Sequence, residues 1–143
     1  MSRNRPTRDQ FLHFSSMPTR WGDHDSYGHV NNVVYHSYYE SAVSLFLVEE
    51  GTLEIATSPV IGLIVENCCT YFSSIGFPDR VTVGMRIAKL GNSSARYELA
   101  LFRNDEQTAS AAGYIVYVYV DRATNQSASI PDSVRAALSK LVD

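Results

Sequence analysis

The residues best equipped for chemistry lie together in one stretch: Trp21-Gly22-Asp23-His24-Asp25-Ser26-Tyr27-Gly28-His29-Val30-Asn31-Asn32. Two carboxylates and two histidines stand there, just ahead of an apolar run with the character of a helix. A helix start presents free N–H groups and a partial positive charge, so it can polarise a carbonyl or stabilise an oxyanion. A carboxylate beside it can attack that carbonyl or deprotonate a water aimed at it. These are the parts of an acyl-transfer site. Gly-x-Ser-x-Gly is absent and no Gly-rich phosphate loop occurs, so nothing indicates a Ser-His-Asp hydrolase or a phosphate cradle.

The elements that must position this stretch follow from apolar spacing. Phe11 to Trp21 reads as a first strand. From Asn32 to Glu50 the apolar residues are too many for one face of a surface helix, which predicts a helix buried nearly all round. Asn31 or Asn32 caps its start, and Gly51 stands where a left-handed C′ residue is expected. Val60 to Tyr71 is a long β-rich run. Val81, Val83, Met85 and Ile87 alternate with polar residues, as do Tyr97, Leu99 and Leu101 in the run Ala95 to Arg103. Gly91-Asn92-Ser93-Ser94 turns between those two strands, and Asn104 to Gln107 leads to the last one. Ala111 to Asp121 is apolar on both faces, so a second subunit is expected to cover the side away from the helix. Pro131 to Leu141 reads as a short closing helix. The expected fold class is α+β, a curved antiparallel sheet of hairpin-connected strands wrapped around one long helix.

Size and composition narrow the class. A chain of 143 residues is one domain's worth, with a flexible tail expected at 1–10 and a single domain over 11–143. Hydrophobic residues make up 45% and charged residues 19%, which excludes intrinsic disorder. A formal charge of −3 is no footprint for nucleic acid or an anionic membrane, so neither is an expected partner. Cys68 and Cys69 are adjacent and on a strand would point to opposite faces, poorly placed to bridge each other. No apolar core of a signal peptide follows Arg3, Arg5 and Arg8, and a cytoplasmic location is expected. Apart from the Asp25–His29 step, His24, Asp25, His29 and His36 match no helical i, i+4 pair, and two of them would sit in a loop, so no metal is expected.

The run Asp23-His24-Asp25-Ser26-Tyr27-Gly28-His29-Val30-Asn31-Asn32-Val33-Val34-Tyr35 resembles the D-x-D-x-x-G-H-V-N-N-x-x-Y signature of hotdog-fold acyl-CoA thioesterases of the 4-hydroxybenzoyl-CoA thioesterase type. Leu90-Gly91-Asn92-Ser93-Ser94 and the order of elements from about Met17 to Asp121 extend the resemblance. It implies a hotdog fold, a homodimer or homotetramer with active sites between subunits, and hydrolysis of acyl-CoA or acyl-carrier-protein thioesters. No cofactor is implied, since coenzyme A enters as part of the substrate.

By position, Asp25 matches the catalytic carboxylate, acting as nucleophile or general base, and Asn32 the residue whose backbone N–H polarises the thioester carbonyl. Gly28, His29 and Tyr35 are candidate substrate contacts. Asn92, Ser93 and Ser94 match the turn that contacts coenzyme A, although only Arg86 and Lys89 supply positive charge near it. Asp23 is expected to pair with an arginine or hydrogen-bond the loop. Glu40, on the helix, is a second candidate acid, with a buried, loop-bonded role as its plainer reading. Two other activities are compatible with the same scaffold, an enoyl-thioester hydratase using Asp25 with His29 and a non-catalytic acyl-thioester binding module.

Overall fold

The computed structural model describes residues 4–143. Its elements are β1 (His13–Pro18), α1 (Asn32–Glu49), β2 (Val60–Tyr71), β3 (Arg80–Leu90), β4 (Ser94–Arg103), β5 (Ala111–Asp121) and α2 (Asp132–Ser139). All strand pairs are antiparallel, in the order β1-β3-β4-β5-β2. The hotdog expectation of one curved sheet on one long helix is met. Register shifts at Ile64/Glu66 in β2 and Ile87/Lys89 in β3 mark bulges, which bend strands and let the sheet curl.

The core forms because the two periodicities meet. Along α1, Tyr35, Tyr38, Tyr39, Ala42, Val43, Phe46 and Leu47 are buried, a stripe spaced by three and four. Facing it are Val81, Val83, Met85 and Ile87 of β3, Tyr97, Leu99 and Leu101 of β4, and Ile115, Tyr117 and Tyr119 of β5, each set spaced by two. The helix is not buried all round. Val33, Leu45 and Val48 are exposed, because a single sheet covers only one side of it.

Three further expectations are corrected. Of the strands after α1, β3, β4 and β5 follow one another as sequential antiparallel neighbours, but β2 crosses to the far edge and pairs with β5, leaving β4 and β5 between it and β3. Choice of strand partner is non-local and leaves no mark in the alternation of either strand. The first strand is shorter than Phe11 to Trp21. Phe11 turns to the face away from α1 and packs edge-on against Phe102, while Trp21–Asp23 forms a 3-10 turn.

Third, residues 4–10 are docked rather than loose; Met1, Ser2 and Arg3 lie outside the described residues. The Arg5 guanidinium donates to the Ala109 carbonyl, the Ala109 N–H donates to the Pro6 carbonyl, and Arg8 donates to the carbonyls of Asn104 and Glu106. With Phe11, Ala100, Phe102 and Ala109 this segment builds a small second core on the outer face of the sheet. Part of the surface expected to need a second subunit is therefore covered from within the chain.

Cys68 and Cys69 are both free thiols, the first exposed and the second half-buried near the Tyr39 hydroxyl. Among the described residues no helix is long and apolar enough to cross a membrane.

Candidate active site

The loop before α1 is fastened at every turn. Asp23 is buried and takes two hydrogen bonds from the Arg20 guanidinium, at 3.1 and 2.9 Å, as the sequence predicts for an arginine-paired acid. Its backbone carbonyl accepts from the Asn31 N–H at 2.8 Å, tying the 3-10 turn to the helix start. His24 Nε2 accepts from the Phe77 N–H at 2.8 Å, so this histidine is spent on structure and its proton sits on Nδ1. The Val30 N–H donates to the Ile75 carbonyl at 2.8 Å, which fixes the loop against the segment following β2.

Within this frame Asp25 closes a turn on itself. Its N–H donates to the His29 carbonyl at 2.8 Å, and its Oδ1 accepts from the N–H groups of Tyr27 at 2.8 Å and His29 at 3.2 Å. Gly28 has φ +77°, the left-handed conformation that lets the chain double back around the carboxylate. The Tyr27 N–H is the largest influence on the Asp25 carboxyl, and together with the His29 N–H it outweighs desolvation and holds the group below the ordinary carboxylate pKa. Among the described residues Oδ2 accepts no hydrogen bond, so one oxygen positions the group and the other is free.

Asn31 is the N-cap of α1, its side chain accepting from the Val33 N–H at 3.3 Å. Asn32 is then the first helical residue, and its own N–H has no acceptor among the described residues. Asp25, His29, Val30, Asn32 and Tyr35 line one cleft of about 420 Å³, completed by Tyr71, Phe72, Ser73 and Ser74. The cleft thus places an ionised carboxylate and an unused helix-start donor together, as an acyl-transfer site requires.

Tyr35 is buried at the base of the cleft, edge-on to Tyr71 at 4.9 Å between ring centroids. Burial pushes both phenols up to about 12, so both are neutral donors across the physiological range. The Tyr71 hydroxyl donates to the Asn32 carbonyl at 3.1 Å, bracing the first helical residue from the sheet. Tyr71 to Ser74 are the cleft residues that sequence reading missed. They end and follow β2, far along the chain, and reach the cleft through the Val30–Ile75 and Tyr71–Asn32 bonds, contacts no local pattern announces.

Other predicted residues stand elsewhere. Gly28 shapes the turn and does not line the cleft. Glu40 is exposed, not buried and loop-bonded, because it lies on the uncovered side of α1. Asn92, Ser93 and Ser94 sit at the opposite end of the sheet within the chain. Tyr71 is level with Leu101 through Ala111, and Leu101 lies seven residues from Ser94, roughly 23 Å at about 3.3 Å each. Their backbone is held by α2 and the strand before it: Arg135 donates to the carbonyls of Gly91 and Asn92, Ile130 to Asn92, and Tyr119 to Ser93. Arg86 is engaged by Glu98, which removes one of the two cations expected near that turn.

Comparison with known proteins places the chain's sequence and fold among thioesterase-like proteins. The PA5185 protein of Pseudomonas aeruginosa strain PAO1 is 47% identical, with 98% of each chain covered and a TM-score of 0.95. The PA2801 protein of Pseudomonas aeruginosa, proposed to be a thioesterase, is 34% identical over 90% of this chain and 99% of that one, at a TM-score of 0.82. BH1999, a gentisyl-coenzyme A thioesterase, is 26% identical over 88% of this chain and 99% of that one, at a TM-score of 0.78. No curated protein matches significantly by sequence. The Thioesterase-like superfamily matches residues 19–138, a span that runs from just before the Arg20–Asp23 pair, through the cleft and every strand from β2 on, into α2. The chain belongs to the thioesterase-like superfamily.

Proposed function

We propose that the protein hydrolyses acyl-CoA thioesters to a free acid and coenzyme A, with Asp25 as the reacting carboxylate and the Asn32 N–H as the carbonyl donor. The observation that carries this reading is the division of labour on Asp25: Oδ1 is tied by two backbone N–H groups while Oδ2 is free in the cleft that Asn32 lines. The thioester carbonyl oxygen accepts from Asn32, where the helix dipole adds to the polarisation. Oδ2 then either bonds to the carbonyl carbon or takes a proton from a water that does so. The C–S bond breaks, and the sulfur leaves as a thiolate stable enough to need no dedicated acid. In the nucleophilic course a water hydrolyses the resulting mixed anhydride and restores Asp25.

The assignment follows the 4-hydroxybenzoyl-CoA type of mechanism, in a homo-oligomer. The exposed edge of β2 supports the assembly, since Leu63, Ile64 and Val65 are all open to solvent on a strand whose outer edge has no partner. A two-fold pairing of β2 edges would carry the Asn92–Ser94 turn of one copy to the Asp25 end of the other. That arrangement alone lets Asn92, Ser93 and Ser94 act as coenzyme A contacts. The test is release of free thiol from short, long and aromatic acyl-CoA esters and from acyl-carrier-protein thioesters. Turnover of the coenzyme A esters is expected, and a folded protein that releases thiol from none of them would overturn the reading.

A further inference from the structure

The first turn of α1 hangs on the sheet by one hydrogen bond. Among the described residues the Tyr71 hydroxyl, donating to the Asn32 carbonyl at 3.1 Å, is the only group of a strand bonded to that turn. The backbone anchors at Val30 and Asn31 belong to the loop and aim the Asn32 N–H, whereas the Tyr71 bond fixes how deep the helix start sits against the sheet.

What holds the Tyr71 hydroxyl lies behind it in the core. Cys69 is two residues back on β2, on the same face, and packs against the buried cluster. Its Sγ stands 3.5 Å from the hydroxyl of Tyr39, which is fully buried and has no other partner among the described residues. A buried O–H without an acceptor is costly, so Tyr39 donates to the sulfur. The S–H is then left to point onward. One acceptor, the Thr70 carbonyl, is 4.0 Å away, at the far limit even for sulfur. The other is the Tyr71 oxygen, whose single proton is committed to Asn32 and which lies close enough to Cys69 for each to shift the other's titration. Burial pushes the Tyr39 phenol and the Cys69 thiol up and Tyr71 to about 12, so all three keep their protons at neutral pH. One directed chain results: Tyr39 O–H to Cys69 Sγ, Cys69 S–H to the Tyr71 oxygen, Tyr71 O–H to the Asn32 carbonyl.

Resting on the reading of Asn32 as the carbonyl donor, we infer that Cys69 is a positioning residue for the reaction: through Tyr71 it sets the depth at which the Asn32 N–H meets the thioester carbonyl. Hydrogen bonds in a chain strengthen one another, so loss of the thiol weakens the last link. A small displacement of a preorganised donor is felt in the transition state more than in substrate binding.

The test measures thiol release and Tm for Tyr71→Phe, Cys69→Ala, the double variant and Cys69→Ser. Tyr71→Phe keeps the ring against Tyr35 and should lower kcat at least tenfold with KM within about twofold. Cys69→Ala should lower kcat at least threefold, yet add nothing in the Tyr71→Phe background, because the thiol acts through the hydroxyl. Cys69→Ser, which keeps a donor and an acceptor, should recover at least half of the wild-type kcat. A merely space-filling Cys69 would lower Tm while kcat held. An unchanged kcat in Cys69→Ala, or a fall that adds in full to that of Tyr71→Phe, overturns the inference and leaves the hydrolase reading intact. If no ester releases thiol, calorimetry with two acyl-CoA analogues still decides, a ketone in which CH2 replaces the sulfur and a thioether that lacks the carbonyl. Wild type should bind the ketone more tightly, and Cys69→Ala should weaken the ketone alone, at least threefold. Equal binding of both analogues by the wild type, or equal losses in the variant, overturns the inference.

Discussion

Asn31→Ala separates the two ways in which the helix start is held. The side chain accepts a single hydrogen bond from the Val33 N–H at 3.3 Å, at the long end of the useful range, and it is only half-buried. Its loss should therefore fall in the lower part of the usual range for cap removal, about 0.5–1 kcal/mol. For a chain of this size that is a fall of about 3 °C in Tm. The backbone anchors remain, with Asn31 N–H on the Asp23 carbonyl at 2.8 Å and Val34 N–H on the Asn31 carbonyl at 2.9 Å. The Asn32 donor should stay in place, and kcat/KM for a thioester should fall less than about tenfold, or about 1.4 kcal/mol. Thermal unfolding and thiol release on one preparation check both numbers. A loss of activity above a hundredfold with the small Tm change would show that the cap side chain itself aims the donor, and would refute the view that the backbone does.

The pH profile of kcat/KM should stay flat on its acid side down to about pH 4, because Asp25 titrates below the ordinary value of 3.8. The same depressed pKa gives the fold stability that is present above the unfolded value and lost as pH falls through the folded one; an acid limb well above the carboxylate range would refute Asp25 as the reacting group. Gly28→Ala should cost about 1 kcal/mol in Tm measurements and reduce kcat more than KM, since φ +77° at that position shapes the Asp25 turn; an unchanged kcat would show the turn to be dispensable. Gly113→Ala should destabilise by about 1–3 kcal/mol in denaturant unfolding, because a Cβ there would overlap the Cys68 carbonyl across β2 and β5; a neutral result would mean that the two strands separate easily.

Legibility of the fold tracked the range of the interactions behind it. The bounds of α1, β2 and β5 followed from runs of apolar spacing, and the inward residues of β3 and β4 from strict alternation, since both are local properties. The position of β2 at the sheet edge was invisible because β2 and β3 are adjacent in sequence but separated in the sheet by β4 and β5. The docking of residues 4–10 was hidden for a related reason. Arginine side chains reaching distant carbonyls leave no periodicity, and a polar, proline-bearing segment looks the same whether free or held.

In the cleft, Asp25 and Asn32 were read from a motif, and the turn geometry supplies the physical reason for their spacing. Gly28 reverses the chain, His29 returns a carbonyl to the Asp25 N–H, and Asn31 starts the helix. Tyr71 was not legible as a brace for Asn32. Nor was the distance between the Asn92–Ser94 turn and Asp25, which only a second copy could close.

The most direct test of the account is Asp25→Asn. The amide oxygen can still accept from the Tyr27 and His29 N–H groups, so the turn should persist while the charge is removed. We expect Tm within about 2 °C of wild type, unchanged affinity for coenzyme A, and kcat for thiol release lower by about a thousandfold or more. Turnover retained above about a tenth of wild type in a folded variant would contradict the assignment of Asp25 as the reacting carboxylate.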